Sequence, residues 1–244
     1  MSGPALLHVR AVTKSFRGLK AVAAASLELA EGAITALIGP NGAGKTTIFN
    51  LVAGTYAPDA GEIHFAGRRI DGLPPNAICA AGIGRTFQIV KPFAGLSVLD
   101  NVVVGALLRA SGVAEARRRA ARILDTLGLS TKRDAPASTL TLAERKRLEV
   151  ARALATRPRL LLLDEVMAGL RPTECDEMVE VFRALHRSEG LTILLIEHVM
   201  RAVMALAGQV VVLHHGEVIA RGAPADVVRD PAVLECYLGE ETEV

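Results

Sequence analysis

The sequence predicts an α/β fold in which helices cover a mainly parallel sheet. Three short runs are almost continuously apolar, as strands buried on both faces of a parallel sheet are, at residues 33–38, 160–163 and 192–196. Stretches with helical spacing follow these runs, at residues 46–53, 173–187 and 198–207. Strands and helices that alternate in this way favour parallel strands joined by helical crossovers.

The first third of the chain adds shorter strands. Residues 6–13 alternate between apolar and polar side chains, and residues 26–29 follow as a second strand. A third strand at residues 61–65 comes after the turn residues Pro58 and Asp59. These strands surround the apolar run at residues 33–38 along the chain, so the first third is predicted to be mainly β-structure.

The segment at residues 92–155 contains no convincing strand. Helical periodicity recurs there in three stretches, at residues 98–109, 114–127 and 143–155. Gly112 and Gly128 separate these stretches. The segment is therefore predicted to be a mostly helical subdomain.

Composition excludes several classes of protein. The 244 residues are half apolar, so the chain can bury a large core without disulfides. Cys79, Cys175 and Cys236 are odd in number and far apart, which argues against a disulfide framework or a zinc site and fits a reducing cytoplasm. A net charge of +2 and 3% aromatic residues make nucleic acid an unexpected partner. No secretory signal or long apolar run is visible, so we expect a soluble chain.

The segment GPNGAGKT at residues 39–46 matches the phosphate-binding pattern G-x-x-x-x-G-K-[ST] between a predicted strand and a predicted helix. Gly42 and Gly44 can adopt backbone conformations that other residues avoid, so successive amide N–H groups can face one anion. The N-terminus of the following helix adds partial positive charge. A turn that merely joins strand to helix is the alternative, and the full motif in its context favours binding of a nucleoside triphosphate.

Side chains of the same segment complete the predicted phosphate site. We expect Lys45 to reach the β- and γ-phosphates and the hydroxyl of Thr46 to bind Mg²⁺. The predicted nucleotide contacts in this region are Gly39, Pro40, Asn41, Gly42, Ala43, Gly44, Lys45, Thr46 and Thr47. ATP and Mg²⁺ are therefore the expected cofactors.

Two acids, Asp164 and Glu165, end the apolar strand at residues 160–163. Successive side chains on a strand point to opposite sides, so the two carboxylates can serve two positions. Asp164 suits the shell of Mg²⁺ through water, and Glu165 suits a general base for the attacking water. A helix-capping aspartate beside a surface glutamate is the alternative, but the phosphate loop upstream favours the catalytic interpretation.

Nearly the whole chain resembles the ATPases of ABC transporters, whose motifs follow in the same order. GIGRTFQ ends at Gln88, where the resemblance implies the glutamine that senses Mg²⁺ and the attacking water. LLIEH ends at His198, which matches the histidine that contacts the γ-phosphate. Phe16 matches the aromatic residue, usually tyrosine, that stacks on adenine. Taken singly, Gln88 and His198 could be ordinary solvated, capping or packed side chains, and Phe16 could equally serve packing.

The resemblance implies a P-loop NTPase fold with a RecA-like core, an antiparallel β subdomain and a helical subdomain. We expect one ABC ATPase domain over residues 1–244. Within it, residues 1–90 and 156–244 would form the nucleotide-binding core with the β subdomain. Residues 91–155 would form the mainly helical subdomain that carries the signature region.

The signature region departs from the family pattern LSGGQ. In the family this segment binds the γ-phosphate held by the opposite subunit. Here residues 140–144 read LTLAE, so that Thr141 keeps a hydroxyl, Leu142 and Ala143 replace the glycines, and Glu144 is an acid. Added side chains limit how closely a backbone approaches phosphate. Either the site works with altered geometry, which we favour, or it is the weak site of a two-chain assembly.

Within the family, four stretches are most similar to the ATPases of branched-chain amino acid importers, at residues 71–78, 85–102, 164–174 and 233–241. Importers of urea and short amides look similar. The implied function is an ATP-hydrolysing, Mg²⁺-dependent subunit that is peripheral on the cytoplasmic face of the membrane. The implied partners are transmembrane permease subunits, a second ATPase subunit and, through the complex, a periplasmic or extracellular solute-binding protein. A regulatory subunit with weak ATPase activity is the alternative.

Overall fold

The computed structural model describes residues 5–88 and 91–238. In chain order its strands are β1 (Ala5–Phe16), β2 (Leu19–Ala30), β3 (Ile34–Ile38), β4 (Ala60–Phe65), β5 (Arg68–Arg69), β6 (Ile83–Arg85), β7 (Leu160–Asp164), β8 (Thr192–Ile196), β9 (Gln209–His214) and β10 (Glu217–Gly222). The helices are α1 (Lys45–Val52), α2 (Pro75–Ala81), α3 (Val98–Ala106), α4 (Val113–Thr126), α5 (Leu142–Ala155), α6 (Pro172–Glu189), α7 (Met200–Leu206), α8 (Pro224–Val227) and α9 (Pro231–Leu238).

The described strands form two sheets. The larger has the order β10-β9-β3-β8-β7-β6, and all of its pairs are parallel except the edge pair β10 with β9. The smaller has the order β2-β1-β4-β5 and is antiparallel. The predicted α/β class, with a parallel sheet, an antiparallel β part and helices, is confirmed.

The parallel sheet is buried on both faces. Every residue of β3, β7 and β8 is buried, which is why their sequences read as continuous apolar runs. Alternate side chains of β7 belong to different cores. Leu160 and Leu162 lie in the core with α1, α2 and the smaller sheet, whereas Leu161 and Leu163 lie in the core with helices α3 to α9. The carboxyl ends of these strands therefore meet at one edge between two packed layers.

The helical stretches predicted at residues 98–109, 114–127 and 143–155 correspond to α3, α4 and α5, and α3 packs against both α4 and α5. Several boundaries differ from the predictions, most of all that of β2, which covers Leu19–Ala30 instead of residues 26–29. α3 ends at Ala106, since residues 107–109 form a turn, and α7 begins at Met200, because residues 197–199 continue irregularly from β8. The short elements α2 and β6 were not predicted; a strand of three residues carries too little pattern to be recognised.

None of the helices within residues 5–88 and 91–238 combines the length and apolar character needed to cross a membrane.

Candidate active site

The loop between β3 and α1 is shaped by three glycines with positive φ angles, Gly39 at 144°, Gly42 at 78° and Gly44 at 103°. A Cβ atom on Gly39 would lie 2.0 Å from the carbonyl oxygen of Leu213, and one on Gly44 would lie 2.3 Å from that of Ala21. These two glycines allow the loop to pack against neighbouring backbone. A Cβ on Gly42 would meet nothing within 4 Å, so this residue faces open space.

That open space is a cavity of about 250 Å³, which we call the loop cavity. Its lining consists of Ala21, Asn41, Gly42, Ala43, Gly44, Lys45, Thr46, Thr47, Gln88 and Glu165. The N-terminus of α1 opens onto it at Lys45, and a helix N-terminus favours an anion. Residues 41–47 of the predicted phosphate-binding segment therefore line one cavity together with two of the predicted catalytic residues, whereas Gly39 and Pro40 are not part of that lining.

The ammonium of Lys45 stays close to the loop. Its Nζ donates to the carbonyl oxygens of Gly39, at 2.5 Å, and Pro40, at 2.7 Å. A phosphate entering the cavity would compete with these two carbonyls for the ammonium, and its negative charge makes it the stronger acceptor.

Gln88, Glu165 and His198 meet at the same edge of the parallel sheet. The Nε2 of Gln88 donates to Oε2 of Glu165 at 2.7 Å, and Nδ1 of His198 lies 3.7 Å from Oε1 of the same carboxylate. The three residues follow β6, β7 and β8, which are neighbours in the sheet. The carboxyl ends of parallel strands are where open α/β sheets bind ligands. The structure thus brings the three predicted catalytic side chains together.

Glu165 has an uncommon backbone. Its φ angle of 50° lies in the left-handed region, which costs a non-glycine residue about 1–3 kcal/mol. Three hydrogen bonds hold it there: its N–H donates to the carbonyl oxygen of Ile196 at 2.9 Å, and its own carbonyl oxygen accepts from Nζ of Lys146 at 2.8 Å and from the N–H of Ala168 at 3.2 Å. The direction of the Glu165 carboxylate is therefore set by contacts with β8 and α5.

Asp164 is buried beside the loop. Its Oδ2 accepts from Arg85 at 3.2 Å, and Arg85 also donates to Asn50 of α1 at 2.6 Å. Burial raises the pKa of the Asp164 carboxyl above its usual range, and the guanidinium of Arg85 opposes that rise. Its Oδ1 is buried and has no hydrogen-bond partner among the described residues.

The unpartnered Oδ1 of Asp164 fits a cation. Asp164, Thr46 and Gln88 line a second cavity of about 480 Å³ that adjoins the loop, and their carboxylate, hydroxyl and amide oxygens are hard ligands of the kind that Mg²⁺ selects. No cluster of three or more His, Cys, Asp or Glu side chains suited to a metal occurs in the described parts of the chain. These residues therefore suit a Mg²⁺ ion that takes its other ligands from phosphate and water.

Comparison with known proteins identifies the family. A family model described as "ABC transporter" matches residues 22–168. The chain is 40% identical to the high-affinity branched-chain amino acid transport ATP-binding protein LivG of Salmonella typhimurium, with 98% of this chain and 100% of LivG covered. The chain belongs to the ABC transporter family. It is therefore an ATPase of the ABC type, as its motifs predicted.

Further matches agree with this family. A model described as "Branched-chain amino acid ATP-binding cassette transporter" matches residues 217–243. BraF of Pseudomonas aeruginosa, a high-affinity branched-chain amino acid transport ATP-binding protein, is 37% identical over 98% of this chain and 100% of its own. LptB of Acidithiobacillus ferridurans, a lipopolysaccharide export system ATP-binding protein, is 35% identical over 98% and 99%.

Solved structures of ABC cassettes have the same fold. A nucleotide-free ATP-binding cassette from an ABC transporter superposes with a TM-score of 0.88 and 29% identity, over 96% of this chain and 99% of that one. MJ1267, an ATP-binding cassette of an ABC transporter in its ADP conformation, superposes with a TM-score of 0.88 and 30% identity, over 97% and 99%.

The altered signature of this ABC ATPase begins α5 with a capping box. The hydroxyl of Thr141 accepts from the N–H of Glu144 at 3.3 Å, and Oε2 of Glu144 accepts from the N–H of Thr141 at 2.9 Å. The carboxylate of Glu144 is thereby turned back onto the helix start, where Lys132 lies 3.9 Å from its other oxygen. Among the described residues, none of residues 141–144 lines the loop cavity of its own chain.

Phe16 ends β1 and is 38% exposed. Its ring contacts Tyr56 edge-on, with centroids 5.1 Å apart, and the Nζ of Lys14 lies 5.8 Å from its centroid. An exposed, edge-supported ring leaves a face for a planar base. Phe16 does not line the loop cavity among the described residues, although Ala21 from the adjoining strand β2 does.

Sequence reasoning missed several residues that support this site. Arg85 holds Asp164, Lys146 holds Glu165, and Tyr56 supports Phe16. Glu197 is also buried, and its Oε1 accepts from the N–H of Met167 at 2.9 Å. Lys146 could have been recognised from the sequence, because it lies on the buried face of α5 and charged residues are rare on buried helix faces. The other contacts join residues far apart in sequence and left no local pattern.

Proposed function

We propose that this ABC ATPase is the ATP-hydrolysing subunit of an importer for branched-chain amino acids. Hydrolysis is supported above all by one observation: the side chains of Gln88 and His198 lie next to the carboxylate of Glu165, beside the phosphate-binding loop. The match of residues 217–243 to the branched-chain amino acid cassette model supports the cargo, as do the names of LivG and BraF.

The nucleotide would be bound mainly by the loop after β3. Main-chain N–H groups and the ammonium of Lys45 would bind the β- and γ-phosphates, because both the loop and the start of α1 present donors to the loop cavity. Phe16 would stack on the adenine. The residues proposed for these contacts are Phe16, Gly39, Pro40, Asn41, Gly42, Ala43, Gly44, Lys45, Thr46 and Thr47.

Thr46, Gln88 and Asp164 would hold Mg²⁺. Their shared cavity and the unpartnered Oδ1 of Asp164 support this assignment. When bound, Mg²⁺ would neutralise the charge that develops on the β- and γ-phosphates. Arg85 would keep Asp164 ionised and correctly directed, because its guanidinium stabilises the charged carboxylate against the effect of burial.

Glu165 would act as the general base. In the proposed step, the oxygen of a water molecule attacks the γ-phosphorus, one proton of that water passes to Glu165, and the bond to the bridging oxygen breaks so that ADP leaves. Gln88 would orient the carboxylate through its hydrogen bond, and His198 would contact the γ-phosphate. The fixed backbone of Glu165 supports this role because a base must be positioned before it can act.

A second ATPase subunit would complete the site. Thr141, Leu142, Ala143 and Glu144 would contact the nucleotide of the opposite subunit, and their absence from the loop cavity of their own chain is consistent with that arrangement. The capping box also supports this arrangement. The carboxylate of Glu144 accepts from the N–H of Thr141 and lies near Lys132, so its negative charge is engaged at the helix start.

Transmembrane permease subunits would dock near the helical subdomain, for which we propose residues 91–155 between core segments 1–90 and 156–244. Phe87 is 54% exposed and Phe93 is 47% exposed, and Val104, Leu107 and Leu108 add further exposed apolar area. Exposed apolar area of this kind marks interaction surfaces. The chain would then be peripheral on the cytoplasmic face of the membrane, and a solute-binding protein would join through the permease.

The cargo can be tested with the complete transporter. The permease subunits and binding protein are co-purified with this chain in lipid, and ATP turnover is measured with leucine, valine or urea. We expect leucine or valine to stimulate turnover, and Lys45→Ala in this subunit to abolish the stimulated rate. Stimulation by urea and not by either amino acid would contradict the proposed cargo.

A regulatory subunit with weak hydrolysis is the second candidate, and the loss of both signature glycines at Leu142 and Ala143 favours it. In a complex with two different ATPase subunits, the catalytic glutamate of each can be replaced separately. Our proposal predicts that Glu165→Gln lowers turnover strongly. If turnover fell only when the catalytic glutamate of the other ATPase subunit was replaced, this chain would be the regulatory subunit.

A further inference from the structure

Lys146 is a buried lysine that the proposed reaction does not use. It lies on α5, is 5% exposed, and its Nζ donates to the carbonyl oxygen of Glu165 at 2.8 Å. Buried lysines are rare because taking an ammonium out of water is costly, and this burial lowers the pKa of Lys146. The carboxylates of Glu197, Glu165 and Asp164 lie near enough to favour its charged form.

The bond from Lys146 reaches the backbone of the proposed base. The carbonyl group of Glu165 belongs to a residue whose φ angle of 50° persists only where neighbouring contacts impose it. The N–H of Glu165 is fixed by β8, and its carbonyl oxygen accepts from Lys146 at 2.8 Å and from the N–H of Ala168 at 3.2 Å. Without Lys146 the carbonyl would keep only the longer bond from Ala168, so we expect the backbone to relax and the carboxylate to turn away from Gln88.

Lys146 also connects two parts of the site. It lies little more than one helical turn beyond Thr141, which caps α5 in the signature region. A helix is stiff over such a short length, so a displacement of the capped end is carried to Lys146 and from there to the Glu165 carbonyl. Contact between the signature region and a nucleotide on the opposite subunit would therefore be transmitted to the base of this chain.

We propose that Lys146 is a positioning residue for hydrolysis, which links the helix of the signature region to the backbone of Glu165 and holds its carboxylate in the reactive orientation. This inference rests on the proposed role of Glu165 as the general base.

The test compares variants of the full-length chain with Mg²⁺-ATP as the substrate. Lys146→Met keeps the length of the side chain and removes the donor, and Lys146→Arg keeps a charged donor. Arg147→Met is the matched control, because Arg147 is on the same helix and bonds to Glu177 and Leu127 but not to Glu165. The readouts are kcat, KM and the equilibrium affinity for ATP.

We expect Lys146→Met to lower kcat at least tenfold while KM and ATP affinity stay within twofold of native. Lys146→Arg should restore much of the lost kcat, and Arg147→Met should behave as native. Because loss of folded protein would also lower the apparent kcat at an unchanged KM, kcat is calculated per mole of ATP bound. The inference predicts a native binding stoichiometry for Lys146→Met, whereas a purely structural lysine would lower the stoichiometry and the apparent kcat in the same proportion. If kcat of Lys146→Met stayed within twofold of native, the inference would be overturned.

Two further variants keep the outcome decisive. Lys146→Ala also removes the donor, and if Lys146→Met fails to fold, a near-native kcat in Lys146→Ala overturns the inference in its place. Glu165→Gln distinguishes failure of the proposed base from failure of the role inferred for Lys146. A native rate in Glu165→Gln would remove the proposed base and this inference with it, whereas loss of rate in Glu165→Gln with a native Lys146→Met would remove the inference alone.

Discussion

The side-chain amide of Gln88 donates a 2.7 Å hydrogen bond to the carboxylate of Glu165, across 77 residues of sequence. The bond ties the segment after β6 to the segment after β7, so the orientation of the proposed base depends on a residue at the edge of the helical segment. Movement of that segment would therefore change the position of the base.

Replacing Gln88 tests this relationship. We expect Gln88→Ala to lower kcat about tenfold, since that corresponds to loss of one hydrogen bond of about 1.4 kcal/mol to a charged group. Gln88→Glu should lower kcat further, because a second carboxylate would repel Glu165. ATP turnover under saturating Mg²⁺-ATP measures both, and an unchanged kcat in Gln88→Ala would show that the hydrogen bond has no role in hydrolysis.

Two glycines of the phosphate loop should respond differently to alanine. A Cβ on Gly39 would lie 2.0 Å from the carbonyl oxygen of Leu213, so Gly39→Ala should lower the free energy of unfolding by about 3 kcal/mol or more. A Cβ on Gly42 would enter the loop cavity, so Gly42→Ala should cost about 1–2 kcal/mol of backbone strain and lower ATP affinity at least tenfold. Denaturant unfolding and ATP binding distinguish the two effects. Native ATP affinity in Gly42→Ala would place the phosphates elsewhere.

Thr141 offers a matched pair of variants in the signature region. Thr141→Ala removes the helix cap, at about 1 kcal/mol, together with the hydroxyl proposed to contact the opposite nucleotide. Thr141→Ser keeps both. We expect kcat of the assembled two-subunit complex to fall about tenfold for alanine, equivalent to about 1.4 kcal/mol, and to stay near native for serine. Equal turnover in the two variants would mean that the hydroxyl does not act in hydrolysis.

Glu197 should make stability depend on pH. Burial raises its pKa from the ordinary 4.5 to about 7, and the carboxylates of Glu165 and Asp164 add to the rise. Between these two pH values the folded chain retains a proton that the unfolded chain has released, so this group lowers the free energy of unfolding by about 1.4 kcal/mol per pH unit as pH rises. Above about pH 7 the effect is constant.

Glu197→Gln has no such titration. The free energy of unfolding of the native chain, minus that of the variant, should therefore fall by about 3 kcal/mol between pH 4.5 and pH 7. Urea unfolding at pH 4.5, 5, 6, 7 and 8 measures the difference, and the remaining buried carboxyls cancel because both proteins contain them. A difference that did not change with pH would contradict the raised pKa.

Much of the fold could be predicted because its information is local. The runs that became β3, β7 and β8 are apolar at nearly every position, and burial on both faces of a parallel sheet requires that pattern. The phosphate loop carries its own motif. The order of motifs along the chain then pointed to Gln88, Glu165 and His198, although each of them alone has an ordinary explanation.

The supporting contacts could not be predicted because they join distant segments. Arg85 and Asp164 are 79 residues apart, and Tyr56, in the segment after α1, contacts Phe16 at the end of β1. One contact could have been found: Thr141 followed three residues later by Glu144 is the sequence pattern of a capping box. It explains how an acid can occupy the signature region, since its carboxylate is engaged by the helix start.

The most direct measurement of the central claim compares ATP binding and single-turnover hydrolysis by the native chain and Glu165→Gln, each in the presence of Mg²⁺. We predict that both proteins bind ATP with similar affinity and that the rate of hydrolysis falls by a factor of about 100 or more in the variant, as expected for loss of a general base. An undiminished rate in Glu165→Gln, or no affinity for ATP in the native chain, would contradict the claim.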